Sequence, residues 1–166
     1  MNRFWLNLAY SCAAFLLQYY VLPQFSLGAY VPELLLASIT VSSIFYGLRW
    51  AMPFAILSGL AVELNFGYGY GMYLLPLVLC AFFGQYLSSM SFERPWTAAA
   101  IVGAGAFLAR VFRSLLAAGS GHGAFMGMTD LVPALVCALL TAVCALLMIF
   151  DQDRRQRRGK SGRYDL

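Results

Sequence analysis

Six long apolar runs, separated by short turns, occupy the chain from Phe4 to Phe150. No other feature limits the fold as strongly. A helix crossing the hydrocarbon core of a bilayer needs about 20 mostly apolar residues, and backbone in lipid must satisfy its own hydrogen bonds. The runs predict helices at Phe4–Leu22, Pro32–Leu48, Trp50–Phe66, Met72–Met90, Pro95–Ala118 and Leu131–Phe150. Composition supports this. Of 166 residues, 61% are hydrophobic and only 11% charged, whereas a soluble domain carries about 25% charged residues. The expected fold is an all-α, polytopic membrane helix bundle over residues 1–150, followed by a basic cytoplasmic tail over residues 151–166.

Prolines and glycines mark the boundaries. Pro32, Pro53, Pro95 and Pro133 each fall in or near an expected first turn, where a missing N–H costs nothing. Pro76 falls in the first turns of the fourth helix, which starts or kinks there. Gly67-Tyr68-Gly69-Tyr70-Gly71 reads as a turn and Gly119-Ser120-Gly121-His122-Gly123 as a loop. Only Gly47-Leu48-Arg49 separates the second and third helices, so a single re-entrant pair is the alternative there. The first run holds Asn7 and Gln18 and no A-x-A-like site follows it, so it reads as a retained helix, not a signal peptide.

Cations set the expected orientation. Arg154, Arg155, Arg157, Arg158, Lys160 and Arg163 supply six of the eleven Lys and Arg residues, all after the last apolar run. The positive-inside rule puts that end in the cytoplasm, and six spans put both termini there. Arg3, Arg49 and Arg94 then fall on the same side. The stretches 23–31, 67–71 and 119–130, on the other side, contain no Lys or Arg. Trp5, Trp50 and Trp96 fall at the cytoplasmic boundary. The tail reads as a topology signal; the alternative is a docking surface for anionic lipid or an acidic partner through Arg154, Arg155, Arg157, Arg158 and Lys160.

Charges inside the apolar runs are costly and therefore informative. Glu63 on the third helix and Arg110 on the fifth lie at depths differing by only about 3 Å, given about 1.5 Å of rise per residue. They are expected to pair, with Arg113, one turn further out, as the other candidate. Glu33 and Asp130 stand at the starts of the second and sixth helices, where a carboxylate faces the positive end of a helix dipole, and both are expected to cap their helices. His122 is expected in solvent. Gly103 on the fifth helix, and Ala134, Ala138 and Ala142 at every fourth position of the sixth, allow helices to approach closely. They form either internal packing or a face for another membrane protein.

The chain offers little for catalysis or cofactor binding. Cys12, Cys80, Cys137 and Cys144 lie singly in apolar runs, and His122 is the lone histidine, so neither a metal site nor a disulfide framework is expected. No paired acids, nucleophile–base set or phosphate loop occurs, no cofactor is expected, and no nucleic-acid motif accompanies the basic tail. A non-catalytic binding role is the expectation.

One stretch is distinctive. Val31-Pro32-Glu33-Leu34-Leu35-Leu36 is followed by Tyr46-Gly47-Leu48-Arg49, then Ser58-Gly59-Leu60-Ala61-Val62-Glu63-Leu64, then Gly69-Tyr70-Gly71-Met72. This order resembles the rod shape-determining protein MreD family over about residues 31–90, with Glu63 where the family usually has Asp. The resemblance implies a multi-pass protein of the bacterial inner membrane within the cell-wall elongation machinery. Implied partners are MreC, the cytoskeletal protein MreB and the glycosyltransferase–transpeptidase pair that builds peptidoglycan. That family is similar in fold to the six-helix substrate-binding subunits of energy-coupling-factor vitamin transporters, so a vitamin-binding subunit is the alternative.

Overall fold

The computed structural model describes residues 3–25, 30–66, 71–89, 95–119 and 128–161. Among them the ordered elements are all helical: α1 (Arg3–Leu16), α2 (Leu34–Tyr46), α3 (Leu48–Phe66), α4 (Leu74–Ser89), α5 (Pro95–Gly119) and α6 (Met128–Ser161). A π-helical turn, Leu17–Val21, and a 3-10 turn, Leu22–Phe25, continue α1. Two helical stretches, Pro95–Leu116 and Leu131–Arg154, are long and apolar enough to cross a membrane.

The bundle is built around α2. Every residue from Leu34 to Ser43 is buried, and α1, α3, α4, α5 and α6 all pack against this helix. A helix that is apolar all round belongs in the middle of a bundle. It is also shorter than the expected Pro32–Leu48. At one end Glu33 is non-helical (φ −82°, ψ 66°), and at the other Gly47 takes φ 87°, ψ 162°, a region open essentially to glycine alone. Thirteen residues reach only about 20 Å, short of the hydrocarbon thickness of about 30 Å. α3 begins at once after Gly47, so the second and third runs form two separate helices with a one-residue joint.

Small residues set the closest approaches. A Cβ on Gly103 would lie 2.8 Å from Ala142 Cβ and 3.0 Å from the Ala138 carbonyl oxygen, so α5 and α6 touch nearly backbone to backbone. A Cβ on Gly84 would lie 2.7 Å from the Thr40 carbonyl oxygen, and Ser43 Oγ donates to the Ala81 carbonyl at 2.6 Å, which seats α4 on α2. The outer surface is apolar, with Leu57, Leu64, Phe83, Leu108, Leu139 and Leu147 all well exposed.

α3 and α6 begin earlier than expected, so Pro53 and Pro133 lie inside them. α6 also runs past Phe150 to Ser161, so the first eleven residues of the expected tail continue the helix. Its 34 residues measure about 51 Å. The expected turn at Gly67–Tyr70 and most of the expected Gly119–Gly123 loop, with His122, lie outside the described residues, as does the side chain of Asp130.

Candidate functional site

The first N–H groups of a helix have no acceptor within the helix itself. In three cases a side chain from another helix supplies one. Gln85 Oε1 of α4 accepts from Leu48 N of α3 at 2.8 Å. Glu63 Oε1 of α3 accepts from Gly71 N, Tyr73 N and Leu74 N at 2.9, 3.0 and 2.9 Å, which closes the start of α4. Gln18 Oε1 accepts from Leu35 N of α2 at 2.8 Å. The fold is thus fastened by side chains reaching from one helix to the start of the next in space.

The head of α2 carries the densest polar cluster. Glu33 precedes the helix but makes no side-chain capping bond to it. Its carboxylate faces Arg113 of α5 instead: Arg113 Nη2 donates to Oε1, and Nη1 donates to Oε2 at 3.3 Å. Gln18 Nε2 donates to Oε2 at 3.3 Å, and Glu33 N donates to Thr141 Oγ1 of α6 at 2.9 Å. Thr141 Oγ1 in turn donates to the Cys137 carbonyl at 2.7 Å, and Cys137 Sγ donates to the Val31 carbonyl. The Arg113 guanidinium sits 4.5 Å from the centroid of the Tyr73 ring, a cation–π contact, and Tyr19 meets Tyr73 edge-on. The end of α1, the head of α2, the start of α4, and α5 and α6 all converge here.

The chain favours this arrangement locally. The π-helical turn Leu17–Val21 widens the end of α1 and buries Gln18; such turns are frequent at functional positions. A buried ion pair is tolerated when further hydrogen bonds satisfy its remaining atoms, and Gln18 supplies one to the Glu33 carboxylate. Chemically the cluster is an electrostatic lock, in which Arg113, Gln18 and Thr141 all bond to Glu33. No group of three or more His, Cys, Asp or Glu residues that could hold a metal occurs among the described residues.

The expected pairing of Glu63 with Arg110 or Arg113 is corrected. The three N–H groups at the start of α4 claim the Glu63 carboxylate, because they lie beside it and carry the positive end of the helix dipole. Arg113 pairs with Glu33, and Arg110 Nη1 donates to the Pro133 carbonyl at 3.3 Å. The Glu33 reading is corrected with it: the cap on α2 is Gln18, and Glu33 is the counter-ion of Arg113. The small-residue positions behave as internal packing. Gly103 abuts Ala138 and Ala142, and Ala134 and Ala138 are buried. Beside this contact runs an open apolar groove of about 500 Å³, lined by Trp96, Ala100, Phe107, Leu139 and Val143 among others. Arg154 is exposed on α6; the side chains of Arg155, Arg157, Arg158 and Lys160 lie outside the described residues.

Sequence reasoning missed Gln18, Tyr73 and Thr141 as members of the cluster. Gln18 and Thr141 were visible as polar breaks in apolar runs, and Glu33 and Arg113 both sit toward the outer ends of their helices in the expected topology. Comparison with family models, curated proteins and solved structures finds no match to this chain.

Proposed function

We propose that the chain is a multi-pass protein of the bacterial inner membrane, with both termini in the cytoplasm, and that it serves the cell-wall elongation complex by binding other membrane proteins without catalysing a reaction. MreC is the first partner on this reading; MreB and the peptidoglycan glycosyltransferase–transpeptidase pair are further ones.

The membrane reading is supported by inverted polarity. Large apolar side chains such as Leu64 and Leu139 face outward, while Gln18, Glu33, Glu63 and Thr141 are buried. Lipid accepts an apolar exterior of this kind, whereas a soluble monomer rarely exposes a large contiguous apolar patch. The observation that carries the functional reading is where the family-like residues fall. Val31-Pro32-Glu33-Leu34-Leu35-Leu36 leads into the central helix, Gly47 is the joint between α2 and α3, and Glu63 fastens α4 to α3. The motifs that resemble MreD are thus the ones around which this bundle is organised.

Two experiments test the reading. A phosphatase reporter active only in the periplasm, fused to Leu166, is expected to stay silent; strong activity would reverse the topology. A pull-down from native membranes is expected to recover elongation proteins. Tight vitamin binding by the purified chain, with no such partners, would assign it to the transporter subunits instead.

A further inference from the structure

At the opposite end of the bundle from Glu33, three helices each bury a polar atom that has no protein partner: Ser11 Oγ on α1, Ser42 Oγ on α2 and Gln152 Oε1 on α6. The three residues are 6%, 2% and 2% exposed. Buried polar atoms in native structures nearly always have a partner, and where protein supplies none an ordered water does.

Register brings the three together. Gln18 bonds to Glu33 and to Leu35 N, and Thr141 bonds to Glu33 N, so residues 18, 33 and 141 share one level. α1 packs along α2, which makes these helices antiparallel. Tyr10 of α1 donates to Asp151 Oδ2 of α6, which makes α1 and α6 antiparallel too. α2 and α6 therefore descend side by side from the Glu33 level. With about 1.5 Å of rise per residue, Ser11, Ser42 and Gln152 lie about 10, 14 and 16 Å below it, within roughly one helical turn of one another. The Tyr10–Asp151 bond joins the chain neighbours of Ser11 and Gln152. On α1 and α6 the buried faces also agree. Gln152 continues the buried stripe of Thr141, Ala145 and Ile149, and Ser11 continues that of Gln18 and Ala14.

We propose that Ser11, Ser42 and Gln152 form an internal water-binding site at the root of the α6 extension. The two hydroxyls donate to the bound water, and the water donates to Gln152 Oε1. The three bonds match the usual complement of a buried water. The Glu33 end is held by direct side-chain bonds. At the Gln152 end, where α6 leaves the bundle for its basic extension, the bound water adds a mediated contact beside the direct Tyr10–Asp151 bond.

Water-to-protein magnetisation transfer in solid-state NMR tests this on the intact chain in lipid, with glutamine side-chain amides labelled and Gln152 assigned from the signal lost in Gln152→Met. Gln18 is the internal control, also buried at 6% exposure against 2% for Gln152, with its amide bonded to Glu33 and Leu35. Gln152 is expected to receive water magnetisation well ahead of Gln18 and close to exposed Gln24. Transfer as slow as that to Gln18 would overturn the site. The Ser11→Ala/Ser42→Ala double variant is expected to slow transfer to Gln152; unchanged transfer in that folded variant would overturn the role of the two hydroxyls.

Discussion

Arg113 and Glu33, 80 residues apart in the chain, meet in a two-point ion pair that ties α5 to the head of α2. Both side chains are mostly buried, 14% and 10% exposed, so neither charge is well solvated if the other is removed. Glu33→Gln or Arg113→Gln is therefore expected to cost about 3–5 kcal/mol, and the double variant much less than the sum. Thermal unfolding of the four proteins in detergent gives the coupling directly; losses that merely add would mean that the two groups do not depend on each other.

Glu63 is expected to behave differently. Glu63→Gln keeps an oxygen that can accept from the start of α4 and loses only the charge–dipole attraction, about 0.3–2 kcal/mol. Glu63→Leu leaves three N–H groups without their acceptor, at about 1–3 kcal/mol for each that stays unsatisfied. The Glu63→Gln and Arg110→Gln losses are expected to add. A coupling between them in the same unfolding assay would restore the pairing that the sequence suggested.

Gly103→Ala is expected to destabilise the α5–α6 contact by about 1–3 kcal/mol, because the added methyl forces the backbones apart. Ala142→Gly removes the nearer of the two clashing atoms and is expected to recover part of the loss. A double variant no more stable than Gly103→Ala in thermal denaturation would count against this packing.

Gly47→Ala is expected to cost about 1–3 kcal/mol, since the backbone there occupies a region that side chains avoid. The loss comes from conformation, so Gly47→Ser and Gly47→Ala are expected to shift the melting temperature alike. A Gly47→Ala protein as stable as the parent would show that the joint between α2 and α3 can relax.

The sequence shows where the helices lie, because long apolar runs interrupted by glycine and proline leave few other options. It shows less about their ends. Helix six was expected to stop at Phe150, where the apolar run stops, yet hydrogen bonding along a helix does not need apolar residues, and α6 continues to Ser161. Depth along a helix was also legible, but facing was not. Glu63 and Arg110 share a level in the expected topology, and that argument is silent on which side of each helix they occupy. The nearer claimants for Glu63 were backbone groups, which a list of charged residues does not contain. Gly103 and its alanine counterparts were legible as small, and the structure turns them toward each other.

The enclosure of α2 bears on how the protein is made. As the chain leaves the ribosome, Glu33 emerges 80 residues ahead of Arg113. At translation rates of about 5–20 residues per second, that is a wait of about 4–16 seconds. Thr141, which receives the Glu33 N–H, emerges later still. Until then the central helix has a carboxylate without a counter-ion, and a length too short to span a bilayer alone. The element at the middle of the finished bundle is therefore among the last to become secure, and a nascent chain arrested before α5 would leave Glu33 without its counter-ion.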